Sequence, residues 1–149
     1  MKVFLASDHA AFALKEKVRK VVEKKGLKAR DFGAFTSESS DYPDYVIPAC
    51  QAVAASNGAA VGIVFGRTGI GECIAANKVR GIRAALAFDE KSARLSREHN
   101  NANVLCLGAE TIPLAKAKKI VEIFLSELFS GEERHVRRLK KISDYENTN

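Results

Sequence analysis

The run Val61 to Phe65 narrows the possible folds more than any other segment, because it is apolar, rich in β-branched residues and closed by glycine. A strand with no polar face has to be covered on both sides, which points to a parallel sheet lying between helices. Four further segments fit the same sheet: Val3 to Ala6, Lys28 to Phe32, Ile82 to Ala87 and Val104 to Leu107. Helical spacing fills the gaps between them. Leu14, Val18, Val21 and Val22 recur on one helical face up to Gly26, and a second helix runs from about Pro43 to Asn57-Gly58. Others are expected from Glu72 to about Lys78, from Glu90 to His99 and from Leu114 to Leu128, with a short basic helix after Gly131. Pro48 is awkward, since a proline beyond the first turn removes a backbone donor, so the second helix is expected to start late or bend there. The reading is one α/β domain over residues 1–149: a doubly wound, five-stranded parallel sheet in a Rossmann-like three-layer sandwich with a C-terminal helix.

At 46% hydrophobic and 28% charged residues the chain has the balance of a globular protein. Its apolar runs fall short of the ~20 residues that span a bilayer, and its start is too short in its apolar part for a signal peptide, so a cytoplasmic protein without a membrane partner is expected. Cys50, Cys73 and Cys106 have neither disulfide-framework nor zinc-ligand spacing and read as reduced, mostly buried thiols. The net charge of +6 is spread over helical faces such as Lys15 to Lys25 and the run from Glu133 to Lys141, without the continuous basic stripe that nucleic acid wants. A small anionic ligand fits better.

In doubly wound sheets ligands bind beyond the carboxyl ends of the strands, which is where Asp8-His9 and Gly66-Arg67-Thr68-Gly69-Ile70-Gly71 fall. Glycines between a strand and a helix let backbone N–H groups converge on an anion. The loop is neither a P-loop nor the dinucleotide fingerprint, and a tight structural turn is the plainer reading of it alone. Asp8 taken alone reads as a helix N-cap, and His99 as a residue on the last carbonyls of its helix.

Ser-Asp-His-Ala near the start, Asp-Tyr-Pro at 41–43, Thr-Gly-Ile-Gly at 68–71, Ile-Ala-Ala-Asn-Lys at 74–78, Gly-Ile-Arg-Ala-Ala at 81–85, Ser-Arg-Glu-His-Asn at 96–100 and Arg-His at 134–135 together resemble the type B ribose-5-phosphate isomerases. The likeness runs through nearly the whole chain. It implies a cofactor-free, metal-free aldose–ketose isomerase acting on a small phosphorylated sugar through an enediolate. It also implies a homo-oligomer, a dimer with a tetramer as the alternative, whose active sites lie at the subunit interface. By that resemblance His99 opens the furanose ring with Asp8 assisting; His9, Arg134 and Arg138 hold the phosphate; Asn100 and Tyr42 bind substrate; and the backbone of Thr68, Gly69, Ile70 and Gly71 stabilises the enediolate.

The family's usual proton-abstracting cysteine would stand where this chain has Gly66, and a subgroup instead carries a glutamate directly after the last loop glycine, here Glu72. Glu72 is therefore the expected base, with a first-turn helix acid as the plainer alternative. Cys73 should point about 100° away and serve packing. Arg67 replaces a usual glycine and Glu110 a frequent phosphate-binding arginine. Arg67 either restores that charge or marks a pocket for another sugar phosphate. Two other readings stay open: an isomerase of allose 6-phosphate or galactose 6-phosphate, and a sugar-phosphate-binding protein without turnover.

Overall fold

A computed structural model describes residues 1–148. Eleven elements follow in chain order: β1 (Lys2–Ser7), α1 (Phe12–Lys24), β2 (Lys28–Asp31), α2 (Pro43–Ala55), β3 (Ala60–Gly66), α3 (Ile70–Ala76), β4 (Ala84–Leu86), α4 (Glu90–Glu98), β5 (Val104–Gly108), α5 (Leu114–Ser126) and α6 (Glu133–Thr148). The strands form one sheet in the order β2-β1-β3-β5-β4, every pair parallel. The chain moves outward from β1 to β2 and then returns past β1 to β3, so the winding reverses between β1 and β3. A crevice opens at such a reversal, beyond the carboxyl ends of the two strands.

Alternation along the central strands builds two cores from one sheet. Val61, Ile63 and Phe65 of β3, Val3 and Leu5 of β1, and Leu105 and Leu107 of β5 pack with Leu14, Val18 and Val22 of α1, Ala93 of α4, and Ile120, Val121 and Phe124 of α5. The intervening Phe4, Ala6, Val64, Val104 and Cys106 face Val46, Ala49, Cys50 and Val53 of α2 and Ala75 and Ala76 of α3. Two helical layers over a side-chain period of two explain why these strands read as unbroken apolar runs.

α2 runs through Pro48 from Pro43 to Ala55. Pro48 and Asp44, whose carbonyl loses its helical donor, are both exposed, so water can satisfy that oxygen. α3 begins at Ile70, two residues before the expected start. β4 is only three residues long, and α6 spans 16 residues where a short helix was expected. Lys15 is no ordinary helical-face charge: it is fully buried, with Nζ 2.6 and 2.7 Å from the Asp31 carboxylate oxygens and 2.6 Å from the Ala34 carbonyl. Ala34 N in turn donates to Ser7 O at 2.7 Å, and Ser7 N to Gly33 O at 2.6 Å, which ties the segment after β2 to the end of β1 beside Asp8. Among the described residues no helix is long and apolar enough to cross a membrane, and no group of three His, Cys, Asp or Glu side chains has metal-binding geometry.

Candidate active site

Two strand ends build the floor of the site. Asp8 follows β1, is 8% exposed, and its Oδ1 accepts the Ala11 N–H at 3.1 Å, fixing the turn into α1. His9 follows with Nδ1 3.1 Å from Ser40 N and 3.2 Å from Ser40 O. With the Ser40 N–H donating, the proton of a neutral imidazole falls on Nε2.

The loop after β3 turns sharply at Gly69, whose φ of +79° favours glycine and whose Cα lies against the Leu107 backbone. Thr68 Oγ1 accepts from Ile70 N at 3.4 Å, Thr68 and Ile70 are exposed, and the Tyr42 ring covers the Cα of Gly71. Loop backbone, Tyr42, Asp8 and His9 thus share the carboxyl edge of the sheet.

Glu72 lies in the first turn of α3, yet it does not behave as a solvated first-turn acid. It is 4% exposed, and its carboxylate fills the space over the Gly66 Cα, where an added Cβ would collide with the Glu72 carboxylate. Burial, first of all, pushes its pKa above the ordinary carboxylate value; its own backbone N–H pulls it down and the nearby Asp8 charge pushes it up. A buried carboxylate with a raised pKa at the end of an anion-ready loop is equipped to take a proton from carbon.

Cys73 does point elsewhere, its Sγ 3.6 Å from the Ala84 carbonyl and 3.6 Å from Asn77 Nδ2, against the second core. It is half-buried rather than fully buried, and hydrogen bonding from Cys106, against the opposing effect of burial, brings its thiol down to about 7. Cys50, pushed up to about 12 by burial, and Cys106, which burial raises well above the ordinary thiol value, are inert packing. Arg67 and Glu110 face one another, Nε to Oε1 3.7 Å, both nearly two-thirds exposed. The Glu110 carboxylate, which would repel a phosphate, is therefore partly neutralised by the arginine beside it, in a pair worth about 0–1 kcal/mol at such exposure.

The remaining expected site residues stand at the opposite edge. α4 runs back from the end of β4, and His99 caps its C-terminus. Asn100 O accepts from Arg83 Nε at 3.1 Å just ahead of β4. Arg134 opens α6 with Nε 2.8 Å from Glu132 Oε2, and Arg138 is exposed one turn on. β5 separates the two edges, and its five residues extend roughly 16 Å at ~3.3 Å each. One chain thus brings together Asp8, His9, Tyr42, Arg67, Thr68 to Gly71 and Glu72, and holds His99, Asn100, Arg134 and Arg138 apart from them.

The sequence motif Arg-His at 134–135 gave His135 no role in that second group. His135 of α6 stacks on His99, ring centroids 4.4 Å apart and planes 14° from parallel. The two residues are 36 positions apart, so no local pattern pairs them.

The fold and the carboxyl-edge site define a doubly wound α/β protein with an anion-ready loop and a buried carboxylate. The pattern of the Ribose/Galactose Isomerase family matches residues 3–142. Ribose-5-phosphate isomerase B of Mycolicibacterium paratuberculosis is 42% identical over 99% of this chain and 93% of its own length. The solved ribose-5-phosphate isomerase B of Clostridium thermocellum superposes with a TM-score of 0.95 at 42% identity, covering 99% of both chains. That of Mycoplasma genitalium, solved with bound ribulose-5-phosphate, does so with a TM-score of 0.95 at 39% identity, covering 99% of this chain and 97% of its own. The chain belongs to the ribose/galactose isomerase family.

Proposed function

We propose that this protein interconverts ribose 5-phosphate and ribulose 5-phosphate as a homodimer with its active sites between the subunits. The observation that carries the reading is the Glu72 carboxylate, buried over Gly66 beside Asp8 at the end of the glycine loop. Kinship to enzymes named for this reaction supports the substrate.

The reaction begins with ring opening. The O1 proton passes to the Asp8 carboxylate, the C1–O4 bond breaks, and the ring oxygen O4 takes a proton from His99, leaving the open aldehyde. Ionised Glu72 then removes the C2 proton, and the electron pair moves through C1 onto O1. Backbone N–H groups of Thr68 to Gly71 stabilise the resulting oxyanion. Protonated Glu72 returns the proton to C1 while the O2 proton is relayed to O1, with Asp8 assisting at the hydroxyls, which gives the ketose. The phosphate, a dianion, is taken by the Arg134 and Arg138 guanidinium groups with His9.

The separation of the two groups of residues supports the dimer. A sugar phosphate is shorter than the strand between Asp8 and His99, so a second copy has to bring its His99, Asn100, Arg134 and Arg138 to the carboxyl edge of the first. Glu72→Gln tests the central step. It keeps the volume and removes the base, so kcat should fall by about 10²–10⁴-fold with KM nearly unchanged, while Cys73→Ala turns over almost normally. Wild-type turnover in Glu72→Gln, or a comparable loss in Cys73→Ala, would assign the proton transfer to another group.

A further inference from the structure

We propose that His135 is a positioning residue for His99, its covered imidazole setting the plane in which His99 hands a proton to the ring oxygen of the sugar. The proposal rests on the reading of His99 as the ring-opening acid.

α6 is an exposed helix, and His135 is its one buried residue, at 5% exposure. A helix that needed only an apolar contact there would be served by leucine or methionine at lower desolvation cost. The position instead holds a ring that lies flat on His99, whose side chain keeps a third of its surface open. Histidine's χ2 torsion is broad, so an imidazole held only at its backbone samples many planes, and a flat neighbour removes that freedom. His135 Nε2 is buried and has no hydrogen-bond partner, so a hydrogen bond from that nitrogen does not account for its placement.

The charges around the pair favour the same division of labour. From α4, His99 and Glu98 face it, with Glu98 Oε1 3.9 Å from His99 Nε2. From α6 and the turn before it come Arg134, Arg138 and Glu132. Burial first, then His99 and Arg134, hold the His135 pKa below the ordinary imidazole value, and only Glu132 opposes them. A ring whose protonated form is disfavoured in this way fits a group that positions His99 better than one that delivers the proton itself.

The two halves of the reaction can be read separately. Ribose 5-phosphate must be opened before it reacts. Ribulose 5-phosphate has no free 5-hydroxyl with which to close a furanose and exchanges its C1 hydrogen with solvent without any ring step. His135→Ala and His135→Phe are each measured for conversion of ribose 5-phosphate and for deuterium uptake at C1 of ribulose 5-phosphate. Misplacing a catalytic group by about 1 Å costs ~10²-fold, so His135→Ala should lower kcat on the aldose by up to that factor with KM and exchange near wild type. His135→Phe, which keeps the flat face, should retain most of the turnover.

Wild-type turnover of the aldose by His135→Ala would overturn the proposal. An equal loss in conversion and exchange would do so too, since it would give His135 to the shared site or to the fold. A His135→Phe as slow as His135→Ala would assign the role to a ring nitrogen and also overturn it. Absence of both activities in the wild-type protein would refute the isomerase reading itself.

Discussion

At the scale of single residues, the stability of the protein and its chemistry pull against each other at Glu72. Its pKa is raised in the folded state above the value of an exposed glutamate. The unfolded chain therefore gives up this proton first as pH rises, and folding stability falls between the unfolded and the folded pKa. Glu72→Gln should consequently raise the thermal midpoint at pH 7 to 8 relative to wild type, and the difference should close as pH drops toward 4. Melting curves of both proteins across that range check it, and a lower midpoint for the variant at pH 8 contradicts the sign. Much at this scale was legible from sequence: that Glu72 and Cys73 diverge follows from helical geometry alone. The burial of Glu72 was not, because it depends on a glycine six positions earlier leaving room for a carboxylate. Nor were the reach of Lys15 to Asp31 and Ala34 or the meeting of Arg67 with Glu110, which are contacts between loops and helices brought together only by the sheet.

At the scale of elements, apolar runs and helical spacing located every strand and helix, and the misjudged ends have local causes. The left-handed Gly69 lets α3 start at once, so Glu72 sits in the first turn instead of opening the helix. Pro48 was read as a disturbance because sequence does not say that its side of α2 faces water. α6 was expected short and runs to 16 residues, although its polar sequence buries only His135 in its own chain. Its hold on the rest of the chain includes Glu146 Oε1, which accepts the Gly81 N–H at 2.9 Å. Beside it lies a groove of about 760 Å³ lined by Lys78, Arg80, Asn100, Leu139 and Ile142 among others. Val136 and Ile142 are about half exposed. An amphipathic helix left this open fits the dimer proposed above, so Ile142→Asp should weaken self-association. Sedimentation velocity at falling protein concentration reads this directly, with a dimer as stable as the wild type counting against the helix as an interface element.

At the scale of the whole molecule, the sheet keeps the two groups of candidate residues apart. Its parallel strands place Asp8 and Glu72 on one rim, and the helix that follows β4 carries His99 back to the other. If dimerisation joins unlike rims, then Glu72→Gln and His99→Asn disable the same site from different chains. Each variant alone should be nearly inactive. Mixed after unfolding and refolding together, half of the dimers carry one of each, and one of their two sites is intact, so about a quarter of wild-type activity should return. Assay of the refolded mixture decides it: no recovery above the two separate variants would mean that one chain supplies both residues.

The space over Gly66 has a further consequence, for inheritance. A side chain at position 66 and the present placement of the Glu72 carboxylate exclude each other, since even a first added carbon would collide with that carboxylate. A descendant could not acquire a nucleophilic side chain at 66 while keeping Glu72 where it is, and so could not hold two bases during the changeover. Any lineage passing between the two arrangements must cross an intermediate with neither base or with Glu72 displaced, so a side chain gained at position 66 always moves the one at position 72.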